Sequence, residues 1–162
     1  MPNRFEEIQY FRQPWLWILL LGLQLFLLWG LFKQIVLGEP FGSNPAPNGL
    51  LILIAFIPLS LIVLFALMHL KTTISHQTIE ILFYPFSKVI INKEEIEHAE
   101  IRKYKALKEY GGWGIRFGNG KAYTISGNQG LQLQLKDGRK TLVGTQKPTE
   151  LQSAINDFLS AK

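Results

Sequence analysis

The sequence predicts an α+β membrane protein: a two-helix transmembrane hairpin, then a small, strongly bent antiparallel β-barrel of about seven strands, capped by a C-terminal helix. Three observations carry this. Gly49 to Met68 is a run of 20 residues without a charged side chain, and at about 1.5 Å per helical residue it reaches roughly 30 Å, the thickness of a bilayer's hydrocarbon core. Pro14 to Phe32 is a second uncharged run, of 19 residues. From Lys71 onward the continuous apolar runs give way to alternation with a period of two, the signature of half-buried strands.

Residues 1–13 form a polar lead in which Phe5, Ile8 and Phe11 have helix-like spacing, so a surface-lying turn and a frayed end are both open. Transmembrane helix 1 is read over 14–37. Pro14 suits a first helical turn. Tyr10, Trp15 and Trp17 form an aromatic belt at one interface, and Trp29 lies near the other. The run is too long for a cleavable signal and lacks a small-residue cleavage site, so it stays as a helix. Gln24 lies deep in this span, where a polar group normally faces another helix. Ser60, or the carbonyl freed by Pro58, is its expected partner across the hairpin. Residues 38–48, dense in glycine and proline, make the turn. Transmembrane helix 2 is read over 49–70, with His69 closing it at the interface.

Residues 71–162 are read as a soluble domain. Residues 1–70 carry three basic and three acidic side chains, so the whole net charge of +5 lies in the domain. Near the helix ends, Arg4, Arg12, Lys71 and Lys88 stand against Lys33 in the turn. That asymmetry predicts a multi-pass protein of the cell membrane with both termini cytoplasmic. Strands are expected at Lys71–Ser75, Thr78–Tyr84, Lys88–Ile91, Gly114–Phe117, Lys121–Ser126, Leu131–Leu135 and Lys140–Gly144. The charged stretch Ile96–Tyr104 is open between strand and helix. Gly118-Asn119-Gly120 and Asp137-Gly138 are hairpin-turn compositions. Pro148 opens an amphipathic helix with Leu151, Ile155, Phe158 and Leu159 on one face.

Strands ending in a helix, directly behind two spans, resemble a bacterial pleckstrin-homology-like domain tethered to the membrane. The blocks RQPWLW, EPFGSNPAP, EYGGWGIR, KAYTISGNQG and GTQKP resemble a family of two-span bacterial membrane proteins that carry such a domain. The resemblance covers nearly the whole chain and implies an architecture, not a reaction. Phosphoinositide-binding pleckstrin domains place Lys and Arg around the first strand turn. Here that turn is Ser75-His76-Gln77 with only Lys71 nearby, so phosphoinositide-specific binding is not expected.

Two stretches of the domain invite a functional reading. In EYGGWGIR, Gly111, Gly112 and Gly114 surround Trp113 and permit positive φ. The stretch is either a partner or ligand surface built from Tyr110, Trp113 and Arg116, or a Trp packed on the barrel mouth, the commoner fate of that residue. Arg102, Lys103, Lys105 and Lys108 form a basic run that is either a contact for anionic lipid or an acidic partner, or a solvated face. No nucleic-acid reader motif is present, so no nucleic acid is expected. The chain has no cysteine, which excludes disulfides and thiolate chemistry. His69, His76 and His98 lack metal-ligand spacing, and no carboxylate pair adjoins a nucleophile. The expectation is a non-enzymatic, cofactor-free module at the lipid bilayer that binds a protein partner or a second copy of itself. The alternative is a sensor of anionic lipid or of a small ligand at the membrane surface, with an enzyme the least favoured class.

Overall fold

The computed structural model describes residues 4–160. It divides into two compact units: Arg12–Leu67, and the chain on either side of that segment, up to Phe11 and from Met68.

The first unit is the apolar hairpin. Helix α1, Pro14–Leu31, continues through one π turn, Phe32–Val36, and helix α2 covers Asn48–Leu67. Both are long and apolar enough to cross a membrane. Their outward residues, Ile18, Phe26, Leu53 and Phe56 among them, are exposed, an arrangement costly in water and favourable in hydrocarbon. The helices meet along Leu20, Gln24, Leu27 and Gly30 of α1 and Leu51, Ala55 and Pro58 of α2. Phe41 of the connecting turn packs on Leu27, Leu51 and Ala55. Gly30 makes room for it, since a Cβ there would stand 2.7 Å from the Phe41 ring. Gln34 ties the turn down by donating to the Ala46 carbonyl and the Asn48 side chain, both at 2.7 Å. The expected Gln24–Ser60 contact does not form. Ser60 is exposed and donates to the Ile57 carbonyl of its own helix at 2.8 Å, the local bond that a helical serine has always within reach. Gln24 is buried, and its side-chain oxygen has no hydrogen-bond partner among the described residues.

The second unit holds nine strands among the described residues. Sheet one takes β1 (Phe5–Tyr10), β2 (His69–Ile74), β3 (Thr78–Tyr84) and β4 (Ser87–Asn92) in sequential antiparallel order. Sheet two contains β5 (Ile96–Lys103), β6 (Gly114–Gly118), β7 (Gly120–Thr124), β8 (Gln129–Leu135) and β9 (Lys140–Gly144), in the order β5-β8-β9-β7-β6. Its pairs are antiparallel except β7 with β9. The open Ile96–Tyr104 stretch is therefore a strand over Ile96–Lys103. The single bent barrel expected from the sequence is resolved as two open sheets.

Within the N-terminal lead, whose residues 1–3 lie outside the described residues, Phe5–Tyr10 is neither a turn nor frayed. It is β1, paired residue for residue with β2 from Phe5↔Ile74 to Tyr10↔His69. The hairpin is thus an insertion between two neighbouring strands, and the domain starts before it. His69 correspondingly leaves the span and opens β2, its ring stacked on Tyr84 at 5.2 Å. Inward positions of β1 are Phe5, Glu7 and Gln9, two of them polar, and each polar one meets the end of β9. Glu7 accepts from the Thr145 hydroxyl at 2.6 Å and the Gln146 N–H at 2.8 Å, and Gln9 donates to the Gly144 carbonyl at 2.7 Å.

A short helix α3, Ala106–Tyr110, follows β5, and α4, Pro148–Ser160, ends the described chain. Helix α4 packs on β5 and β8 of one sheet and on β1 and β2 of the other, bridging the two. It buries Leu151, Ala154, Ile155 and Phe158. Leu159, expected on the same stripe, is 41% exposed; its place is taken by Ala154, because the buried face is centred one helical step back.

Candidate functional site

The sheets approach a second time where the edge strand β4 comes near β7, with the Ser87 hydroxyl 3.3 Å from the Tyr123 hydroxyl. Helix α4 packs against other strands, and a cleft of about 630 Å³ opens here between Val89 and the tips of two hairpins. One tip joins β6 to β7 through Asn119, the other joins β8 to β9 through Lys136–Arg139. The parallel pairing of β7 with β9, Lys121↔Thr141 to Tyr123↔Val143, holds the tips side by side. Gly120 is what permits that closeness. Its φ is +102°, and a Cβ on it would lie 2.4 Å from the Lys140 carbonyl oxygen, so any larger residue both strains the backbone and drives the hairpins apart.

Lys121, Arg139 and Lys140 line this cleft. Asp137 folds the second tip: its carboxylate accepts from the Arg139 N–H at 3.0 Å and from the Arg139 guanidinium at 2.6 Å. Those bonds, the backbone one first, hold its carboxyl below the usual aspartate range. Arg139 is therefore neutralised locally. Lys121 and Lys140 form no ion pair among the described residues. The Lys121 ammonium stands 4.9 Å from the Tyr123 ring centre and 5.8 Å from that of Phe117, within the range of cation–π attraction. Tyr123 is fully buried, whereas Phe117 is 77% exposed. The result is a positively charged cleft with one aromatic ring on its rim.

The residues singled out from the sequence lie elsewhere. All three glycines of EYGGWGIR do take positive φ. Tyr110 is buried and its hydroxyl accepts from the Arg102 guanidinium at 3.3 Å; burial pushes that hydroxyl up, with Arg102 opposing. Trp113 packs on the cluster of Tyr104, Ala106, Tyr110, Ala122 and Leu142, and its indole donates to the Gly127 carbonyl at 3.2 Å. Arg116 folds back to donate to the Trp113 carbonyl at 3.1 Å. The structure gathers the three residues, with their polar groups turned onto the domain itself.

The basic run is divided. Arg102 is bound to Glu109 at 2.9 Å and to the Gln132 side chain at 3.1 Å. Glu109 also accepts from the Lys105 N–H at 2.7 Å. That bond leads, with Arg102 adding to it against a partial-burial penalty, in holding the Glu109 carboxyl below the ordinary range. Lys103, Lys105 and Lys108 are left exposed to solvent.

Lys121, Arg139 and Lys140 were not singled out by sequence reasoning. The available signal was a basic residue directly after each glycine turn, in Gly120-Lys121 and Gly138-Arg139-Lys140. No family model matches the chain, and no curated protein is significantly similar to it in sequence.

Proposed function

We propose that this chain is a non-enzymatic, membrane-anchored interaction module that binds a protein partner or a second copy of itself. Its hairpin crosses the cell membrane, and a pleckstrin-homology-like domain lies on the cytoplasmic side with both termini. The observation that carries this reading is the insertion of the hairpin between β1 and β2. A paired β1–β2 ladder requires the chain to leave and return on one side of any membrane, which supports two spans and a single-sided domain. The two sheets bridged by a terminal helix support the pleckstrin-like reading, although the parallel β7–β9 pair departs from an all-antiparallel barrel.

Support for a partner comes from apolar residues outside the membrane hairpin. Phe86, Ile90, Leu107 and Phe117 are all exposed on the domain, and β6, which carries Phe117, is a sheet edge open to strand addition. A photo-crosslinking amino acid in place of Phe117, in the full chain in native membranes, should give a discrete adduct heavier than the 18.5 kDa protein. Irradiation that yields only the uncrosslinked protein would remove the reading. The second reading, recognition of an anionic lipid or small ligand, is favoured by Lys121 and Lys140 beside the cleft more than by the run from Arg102 to Lys108, whose arginine is already bound.

A further inference from the structure

We propose that the outward face of sheet one, at the end where its strands join the hairpin, docks onto the headgroup layer of the bilayer, with the β3–β4 turn entering it. This rests on the reading of the hairpin as membrane-spanning and adds a lipid contact made by the domain itself. Register and alternation sort that face into rows running across the strands. Tyr10, His69 and Tyr84 are successive register partners and make the row at the hairpin end, with ring centres 5.6 Å and 5.2 Å apart. Tyr10 and Tyr84 are exposed, and so is Phe86 in the β3–β4 turn, which the Phe86 N–H closes by donating to the Phe83 carbonyl at 2.8 Å. The next row is Ile8, Lys71, Leu82 and Lys88, and the one after it is Glu6, Thr73, Glu80 and Ile90.

Aromatic, basic and acidic side chains thus follow one another in steps of about 7 Å, the rise of two strand residues. This is the order of chemistry met on leaving a bilayer's hydrocarbon. Aromatic rings belong at its boundary, ammonium groups at the phosphates, and carboxylates in the water beyond. Lys71 is bound to Glu6 and Lys88 to Glu80, each at 3.0 Å; such partly exposed pairs are weak, so exchanging the carboxylate for a lipid phosphate costs little. Chain length sets which end faces the lipid. Three residues separate Tyr10 from Pro14, and one separates Leu67 from His69. Even fully extended, those links span at most about 14 Å and about 7 Å, and strand pairing carries Tyr84 with them. Of the apolar residues named above, Phe86 is then covered by lipid, which leaves Ile90, Leu107 and Phe117 to a protein partner.

The test uses the full chain in nanodiscs of phosphatidylcholine. The sequence has no cysteine, so a single introduced one carries a unique nitroxide label. F86C, K88C and I90C step along the face at exposed positions, and L53C, at an exposed position of α2, reports on the hairpin. Depth is read from the balance of label relaxation by oxygen, which concentrates in lipid, and by a water-soluble nickel chelate. The label at 53 should lie in hydrocarbon and that at 86 in the headgroup layer, with those at 88 and 90 each shallower by up to about 7 Å. Y84C, in the first row, takes the place of F86C if that variant fails to fold. Equal exposure to the chelate at 86, 88 and 90, with 53 in hydrocarbon, overturns the docking and leaves the hairpin standing. A reversed order, with 90 deepest, does the same. A label at 53 that is open to the chelate removes the membrane-spanning reading and the docking with it.

Discussion

Tyr104 shows how the domain treats a polar group it cannot solvate. The side chain is 2% exposed, and its hydroxyl points toward Gly144, where an added Cβ would lie 3.3 Å from it. Burial pushes this phenol up to about 12, with the facing Thr124 hydroxyl pulling the other way, yet neither hydroxyl completes a hydrogen bond of normal geometry. A phenol whose folded pKa is raised contributes stability that is whole below its unfolded value of about 10 and is lost as pH climbs through the folded one. Thermal midpoints measured from pH 8 upward should therefore fall between roughly pH 10 and 12. Tyr104→Phe should flatten much of that fall, leaving a remainder to Tyr110, whose hydroxyl burial also raises. At neutral pH the same substitution should cost little, because it removes an unsatisfied buried hydroxyl together with its desolvation penalty. An alkaline decline of undiminished size in the variant would show that Tyr104 is not its source.

Helix α4 and strand β1 mark the extremes of what could be read at the scale of elements. The α4 pattern is strongly periodic, and its buried Phe158 has the largest side chain on that face. Phe158→Ala should destabilise the domain by about 3–5 kcal/mol through lost burial and the cavity left behind. Leu159→Ala, on an exposed position, should stay within about 0.5 kcal/mol; comparing the two in thermal denaturation checks which face is buried. The hairpin and seven of the strands were legible from apolar runs or alternation, whereas the charge of β5 left it open between strand and helix. Strand β1 was not legible, because its inward positions carry Glu7 and Gln9. Such residues are ordinarily outward, and their partners at Gly144, Thr145 and Gln146 lie more than a hundred residues along the chain. The cleft was hidden similarly. Its two hairpin tips are set side by side by the parallel β7–β9 pairing, a contact that no local pattern announces.

At the scale of the whole molecule, the pairing of β1 with β2 bears on the proposed topology. Reporters fused before Met1 and after Lys162 should behave alike, and both should be active only as cytoplasmic types. Opposite behaviour at the two ends would be incompatible with an intact β1–β2 ladder, and periplasmic activity at both would invert the orientation. The insertion also sets a schedule for synthesis. The chain between Tyr10 and His69 is 58 residues long, so at about 5–20 residues per second β1 leaves the ribosome roughly 3–12 seconds before its partner exists. During that interval an ordinary amphipathic strand would expose an apolar face and invite aggregation. The inward face of β1 is less apolar than that, because two of its three positions are Glu7 and Gln9. The sheet can be completed only after both helices of the hairpin have been synthesised.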